Sequence, residues 1–83
     1  MNKEHVLFHL GEVAQQLSQT IAGLKDDPEY GEEEYSVEMQ HLYHHLNTAW
    51  NARRVDATGV KRASDRDFNT WSSYPKDLPT MEA

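Results

Sequence analysis

The sequence predicts an all-α chain, an antiparallel helical hairpin followed by a short C-terminal helix, which becomes a four-helix bundle on dimerisation. Three observations predict it. Apolar residues recur at helical spacing over residues 6–24. A second row keeps a heptad pattern over residues 35–53. A short polar stretch around Pro28 separates the two, so the helices are antiparallel neighbours.

The first helix is expected at about residues 3–24. Its row is Val6, Leu10, Val13, Leu17, Ile21 and Leu24, with steps of three and four, which places one stripe toward a partner. Gln15, Gln16, Ser18 and Gln19 fill the outer face, and Leu7 and Phe8 widen the apolar side. Gly11 lies inside the helix and costs about 1 kcal/mol relative to alanine.

The second helix is expected at about residues 28–54. Asp27 reads as an N-cap with Pro28 at the first helical position. Glu32, Glu33 and Glu34 then put negative charge where the helix dipole favours it. The row Tyr35, Met39, Leu42, Leu46, Ala49 and Arg53 repeats in heptads, flanked by Tyr43 and Trp50.

Residues 55–63 carry Gly59 and β-branched residues without a helical stripe and read as a connector. Ser64-Asp65-Arg66-Asp67 reads as a capping box with Asp replacing Glu, opening a short helix at about 65–73. Phe68, Trp71 and Tyr74 sit on it at spacings of three, Pro75 ends it, and residues 75–83 read as a loose tail. Trp71 is expected to cover part of the hairpin.

The chain has 83 residues, enough for one domain at residues 1–83. Only 37% of residues are hydrophobic and the mean hydropathy is −0.86, so a lone monomer has little core material. Two helices of this length leave half of each apolar face wet, and a two-fold dimer is the simplest remedy. The interaction residues expected on this ground are Leu42, Leu46, Trp50, Phe68, Trp71 and Tyr74.

The absence of cysteine excludes disulfides, thiolate zinc sites and cysteine nucleophiles. No apolar run approaches a membrane span and the start lacks a signal-peptide plan, so a cytoplasmic location is expected and no membrane partner. Net charge is −6. Residues 1–52 hold two basic and nine acidic residues (−7), and residues 53–83 hold six and five (+1). The basic residues Arg53, Arg54, Lys61, Arg62 and Arg66 alternate with Asp56 and Asp65, which disfavours nucleic acid as a partner. No phosphate loop or nucleophile elbow is present, and the reading leans against an enzyme.

Five histidines are the candidate chemistry. His5/His9 and His41/His45 are i,i+4 pairs, the spacing by which one helix face chelates a metal. His44 adjoins the second pair. The candidate ligands are His9, Glu12, Glu38, His41 and His45. Each row lies about 100° from its apolar stripe in the same sense, hence on the same flank of an antiparallel hairpin. The segment Glu38-Met39-Gln40-His41 resembles the Glu-x-x-His element of di-iron and di-manganese bundles, which implies Glu12 as the second carboxylate. In that family the ligands point into the bundle centre, which Met39 and Leu42 occupy here. The expectation is therefore a polar contact flank with no cofactor. Zinc, iron or manganese belongs to the alternative reading, a metal-binding helical protein. The favoured function is a homodimeric interaction or regulatory module that can also take a protein partner. A nucleic-acid accessory role ranks last.

Overall fold

A computed structural model describes residues 1–81 and is all-α, with no strand among the described residues. Its helices are α1 (Lys3–Asp26), α2 (Glu32–Asn51), α3 (Ala57–Lys61) and α4 (Asp65–Trp71). The long pair forms the expected hairpin, and α4 packs on α2.

Asn2 caps α1 by accepting from the His5 backbone N–H at 3.1 Å. Its amide also donates to the Val55 carbonyl, and its backbone N–H donates to the Arg53 carbonyl, so the start of α1 is tied to the end of α2. The interhelical turn differs from the expected one. Asp27 does not cap α2. It ends α1, and its side chain accepts from the Glu29 N–H at 2.9 Å, closing a turn around Pro28. With the Asp27 carboxylate engaged there, α2 begins later, at Glu32 after Gly31. The Glu34 carboxylate accepts the Gly31 N–H at 3.0 Å. At its other end α2 stops at Asn51, short of residue 54.

The faces of α1 are rotated from the expected ones. The row that meets α2 is Asn2, Val6, His9, Val13, Gln16, Thr20 and Gly23, every member at least partly buried. Its steps are four and three throughout, a heptad row that is largely polar. Opposite it, α2 offers Glu38, Leu42, His45, Thr48, Ala49 and Ala52. Leu42 apart, these residues are small or polar, so the seam closes through hydrogen bonds and close backbone approach around a single leucine. The leucines turn outward: Leu7, Leu10, Leu17, Ile21 and Leu24 are all exposed. Among the described residues, the buried apolar side chains of the hairpin are Leu42, Ala49 and Ala52.

Gly23 has a packing reason that the sequence reading did not find. A Cβ there would lie 2.7 Å from the Tyr30 ring. The glycine lets that ring lie over the last turn of α1. Gly11, by contrast, faces open space.

The connector contains a helix of its own, α3, because the Asp56 side chain caps it by accepting from Gly59 N–H at 2.7 Å. Helix α4 opens with the expected box: Asp67 N–H donates to Ser64 Oγ, and Ser64 N–H donates to Asp67 Oδ2. Its C-terminal end is bound to α2 by two asparagines. Asn47 donates to the Ser72 carbonyl at 2.8 Å, and Asn51 donates to the carbonyls of Trp71 and Ser73. The tail is less loose than expected. Pro75 is buried, and Asp77 accepts from Trp50 Nε1 at 2.9 Å while pairing with Arg53 at 3.7 Å. The Arg53 guanidinium also stacks 3.8 Å above the Trp50 ring. Residues 82–83 of the expected tail lie outside the described residues. No helix of the described residues is long and apolar enough to cross a membrane.

Candidate functional site

The hairpin seam carries a chain of four imidazoles that crosses from one helix to the other and back along it. His5 Nδ1 faces the Ala52 carbonyl at 3.4 Å. His5 Nε2 meets His9 Nε2 at 3.1 Å, and His9 Nδ1 meets His45 Nδ1 at 2.8 Å. His45 Nε2 meets His41 Nε2 at 3.0 Å, and His41 Nδ1 meets Gln16 Oε1 at 2.9 Å. The two i,i+4 pairs are therefore joined end to end. The imidazole–imidazole link between helices is His9–His45, at the level where the seam row of each helix carries a histidine.

Beyond Gln16 the network continues toward the turn. The Gln16 amide donates to Glu38 Oε2 and to Thr20 Oγ1, each at 3.2 Å. Thr20 and Tyr30 donate to Glu38 Oε1, Tyr30 at 2.6 Å. Glu38 thus accepts from three side chains at the turn end of the seam. Because its carboxylate takes the Gln16 NH₂ group, the Gln16 carbonyl oxygen is the atom left for His41.

Electrostatics follow from this crowding. His9 is 8% exposed. Burial, reinforced by neighbouring His5, His45 and His44, pushes its pKa down to about 4, so it is neutral at physiological pH. His45 is lowered as well, by burial first and then by His41 and His44, with Glu12 opposing. Tyr30 is pushed up to about 12 by desolvation and by its hydrogen bond to the Glu38 carboxylate.

The expected candidates separate into two groups. Glu12, His41 and His45 converge, each with a ligand atom within 4.8 Å of the others. His9 contacts His45 but lies deep in the seam rather than on a flank. Glu38 is engaged with Tyr30, Thr20 and Gln16 instead of joining that cluster. His44 packs edge-on against His45 with ring centroids 5.0 Å apart. Phe8 packs edge-on against His9 at 5.1 Å. Gln16, Thr20 and Tyr30 were missed by the sequence reading. The signal was present as the polar heptad row on α1, one residue behind the leucine row.

Of the expected interaction residues, Leu42 is 6% exposed and serves the core. Leu46, at 44%, faces outward. Trp50 is half-buried under Arg53 and Asp77. Trp71 is half-buried beside α2, with Phe68 edge-on to it at 5.7 Å. Phe68 and Tyr74 are exposed.

The described residues thus present two features able to support function: an unpartnered apolar face and a histidine–carboxylate cluster on the opposite flank. No protein-family model matches the chain, and neither a curated protein nor a solved structure shows significant similarity to it.

Proposed function

We propose that the chain is a self-associating helical module, two copies packing through the apolar face of α1 to complete a four-helix bundle. The observation that carries this reading is the outward row Leu7, Leu10, Ala14, Leu17, Ile21 and Leu24. Its steps are three and four from end to end, the spacing of helices that interlock side by side. Every member is exposed, Leu7 at 67%.

The row lies one residue past the α1 seam, about 100° around the helix. On α2 the corresponding step past the seam reaches Met39, Leu46 and Tyr35. In an antiparallel pair the same sense of rotation leads to the same side. The hairpin therefore presents one apolar surface contributed by both helices. Burying the exposed half of each large side chain is worth roughly 1 kcal/mol. Summed over two copies, that is comparable with the whole stability of a small domain. A core of Leu42, Ala49 and Ala52 needs such a supplement.

Charge favours a second copy over a basic partner at this face. Lys3 and Lys25 nearly offset Glu4, Glu12 and Asp26 along α1 (−1), whereas α2 carries Glu32, Glu33, Glu34 and Glu38 with no Lys or Arg. Two α1 faces meet with little repulsion. This reading leaves α2 and α4 outward, where Phe68 and Tyr74 offer a surface for a further protein partner.

Sedimentation equilibrium of point variants tests it. Leu17→Lys and Ile21→Lys are expected to reduce the mass to one chain, with or without loss of helix. Val37→Lys, at an exposed apolar residue on the other flank, is expected to leave the mass unchanged. A Leu17→Lys protein that remains dimeric contradicts the reading.

A further inference from the structure

The geometry points to a divalent transition-metal site of the zinc class formed by Glu12, His41 and His45, on the flank opposite the leucine row. The inference is independent of the proposed dimer, since all three ligands come from one chain.

The first argument is the orientation of the ligands. A ligating histidine holds its other ring nitrogen in a hydrogen bond, which fixes the tautomer and aims the lone pair. His41 and His45 both do so. His41 Nδ1 faces a carbonyl oxygen, Gln16 Oε1, and so carries the proton. Its Nε2 is then a lone pair. His45 Nδ1 is engaged by His9 Nδ1 at 2.8 Å, leaving the His45 Nε2 atom for the same point in space. The two Nε2 atoms are 3.0 Å apart, close to the edge of a tetrahedral coordination shell with metal–nitrogen bonds of about 2.0–2.1 Å. The Glu12 carboxylate has an oxygen within 4.8 Å of a ring nitrogen of each histidine.

The second argument is a proton count. The imidazole chain has five links, and both its ends are carbonyl oxygens, Ala52 O and Gln16 Oε1. Four neutral imidazoles carry four protons, one each. The chain is therefore one proton short, and one link must oppose two lone pairs. A cation between His41 Nε2 and His45 Nε2 closes the count. His41 then donates to Gln16, His45 to His9, His9 to His5, and His5 to the Ala52 carbonyl, and every remaining link is satisfied. The same position is the one beside a carboxylate. Imidazole and carboxylate together suit zinc and its neighbours, and three protein ligands leave a fourth position for water. The sequence expectation of a metal-free flank rested on ligands at the edge of the stripe. In the hairpin the seam row, not the leucine row, faces the partner helix, which brings His41 and His45 beside Glu12.

The role of Gln16 follows. It touches no metal and acts as a positioning residue, holding His41 in the tautomer that exposes Nε2. His44, exposed and adjacent in sequence, belongs to neither the chain nor the ligand set.

The test is calorimetric titration of the untagged, chelator-dialysed chain with zinc chloride near neutral pH, alongside thermal melts with and without the metal. The expected result is one zinc per chain and a raised melting temperature reversed by chelator. Glu12→Gln and His41→Asn are each expected to weaken binding at least about tenfold. Gln16→Ala is expected to weaken it by about 10-fold to 100-fold. His44→Asn is expected to leave it unchanged. Circular dichroism of each variant reports folding. Should the ligand variants unfold, stoichiometry and the cobalt absorption spectrum of the unmodified chain decide: a one-to-one complex with the intense bands of tetrahedral cobalt supports the site. Absence of saturable binding overturns it, as does equal weakening by His44→Asn and His41→Asn. A proton alone in the chain would give that first outcome. Measured mass separates this result from the fate of the dimer.

Discussion

His9 Nδ1 and His45 Nδ1 stand 2.8 Å apart across the hairpin, and at this pair the imidazoles of the two helices meet directly. It sits where a coiled-coil seam would ordinarily hold a leucine pair. Removing one partner leaves the other without its ring hydrogen bond in a desolvated position. His9→Ala is expected to cost about 1–3 kcal/mol, read from the urea midpoint at unchanged slope. An unchanged midpoint means that the chain contributes nothing to folding.

The two interior glycines of α1 should respond in opposite directions. Gly11→Ala meets nothing and is expected to stabilise by about 0.5–1 kcal/mol, through backbone entropy alone. Gly23→Ala drives a methyl group into the Tyr30 ring and is expected to destabilise by about 1–3 kcal/mol. Thermal melts of the two variants check the contrast, and a stabilised Gly23→Ala protein would show that the ring is not held.

The Tyr30 hydroxyl is expected to ionise at about 12. Its folded value lies above the ordinary 10, so its contribution to stability is fully present below pH 10. That contribution fades as pH rises from 10 toward 12. Absorbance titration of tyrosinate, with Tyr30→Phe removing the late component, reads it directly. A titration in which Tyr30→Phe removes an ordinary component places the hydroxyl in water.

Truncation after Ala63 removes the carbonyls of Trp71, Ser72 and Ser73, to which Asn47 and Asn51 donate. Asn47 is buried, so its amide is left unpaired unless water enters. A loss of about 1–3 kcal/mol is expected, together with increased binding of an apolar dye. A truncated chain as stable as the full one means that the α4 segment is free to dock elsewhere.

The sequence was legible where a local rule acts alone. The Ser64–Asp67 box starts α4 as read, and the heptad rows give two long helices. It misled where two rows compete for one face. On α1, Leu10 and Leu17 look like the seam by hydrophobicity, yet His9, Gln16 and Thr20 hold it. Their advantage comes from partners on α2, Glu38, His41 and His45, which no reading of α1 alone contains. Asp27 was misplaced for a related reason: its carboxylate can serve a cap or a turn, and the Glu29 N–H decides. The cluster of Glu12, His41 and His45 was legible as residue types and spacing. Its tautomers were not, because they depend on Gln16 and Glu38 across the hairpin.

The most direct measurement is the mass of the unmodified chain by sedimentation equilibrium at micromolar concentration, with helix content followed on the same samples. The account predicts about twice 9.6 kDa, dissociating on dilution with loss of helix. A stably folded species of a single chain mass, helical at every concentration, would contradict it.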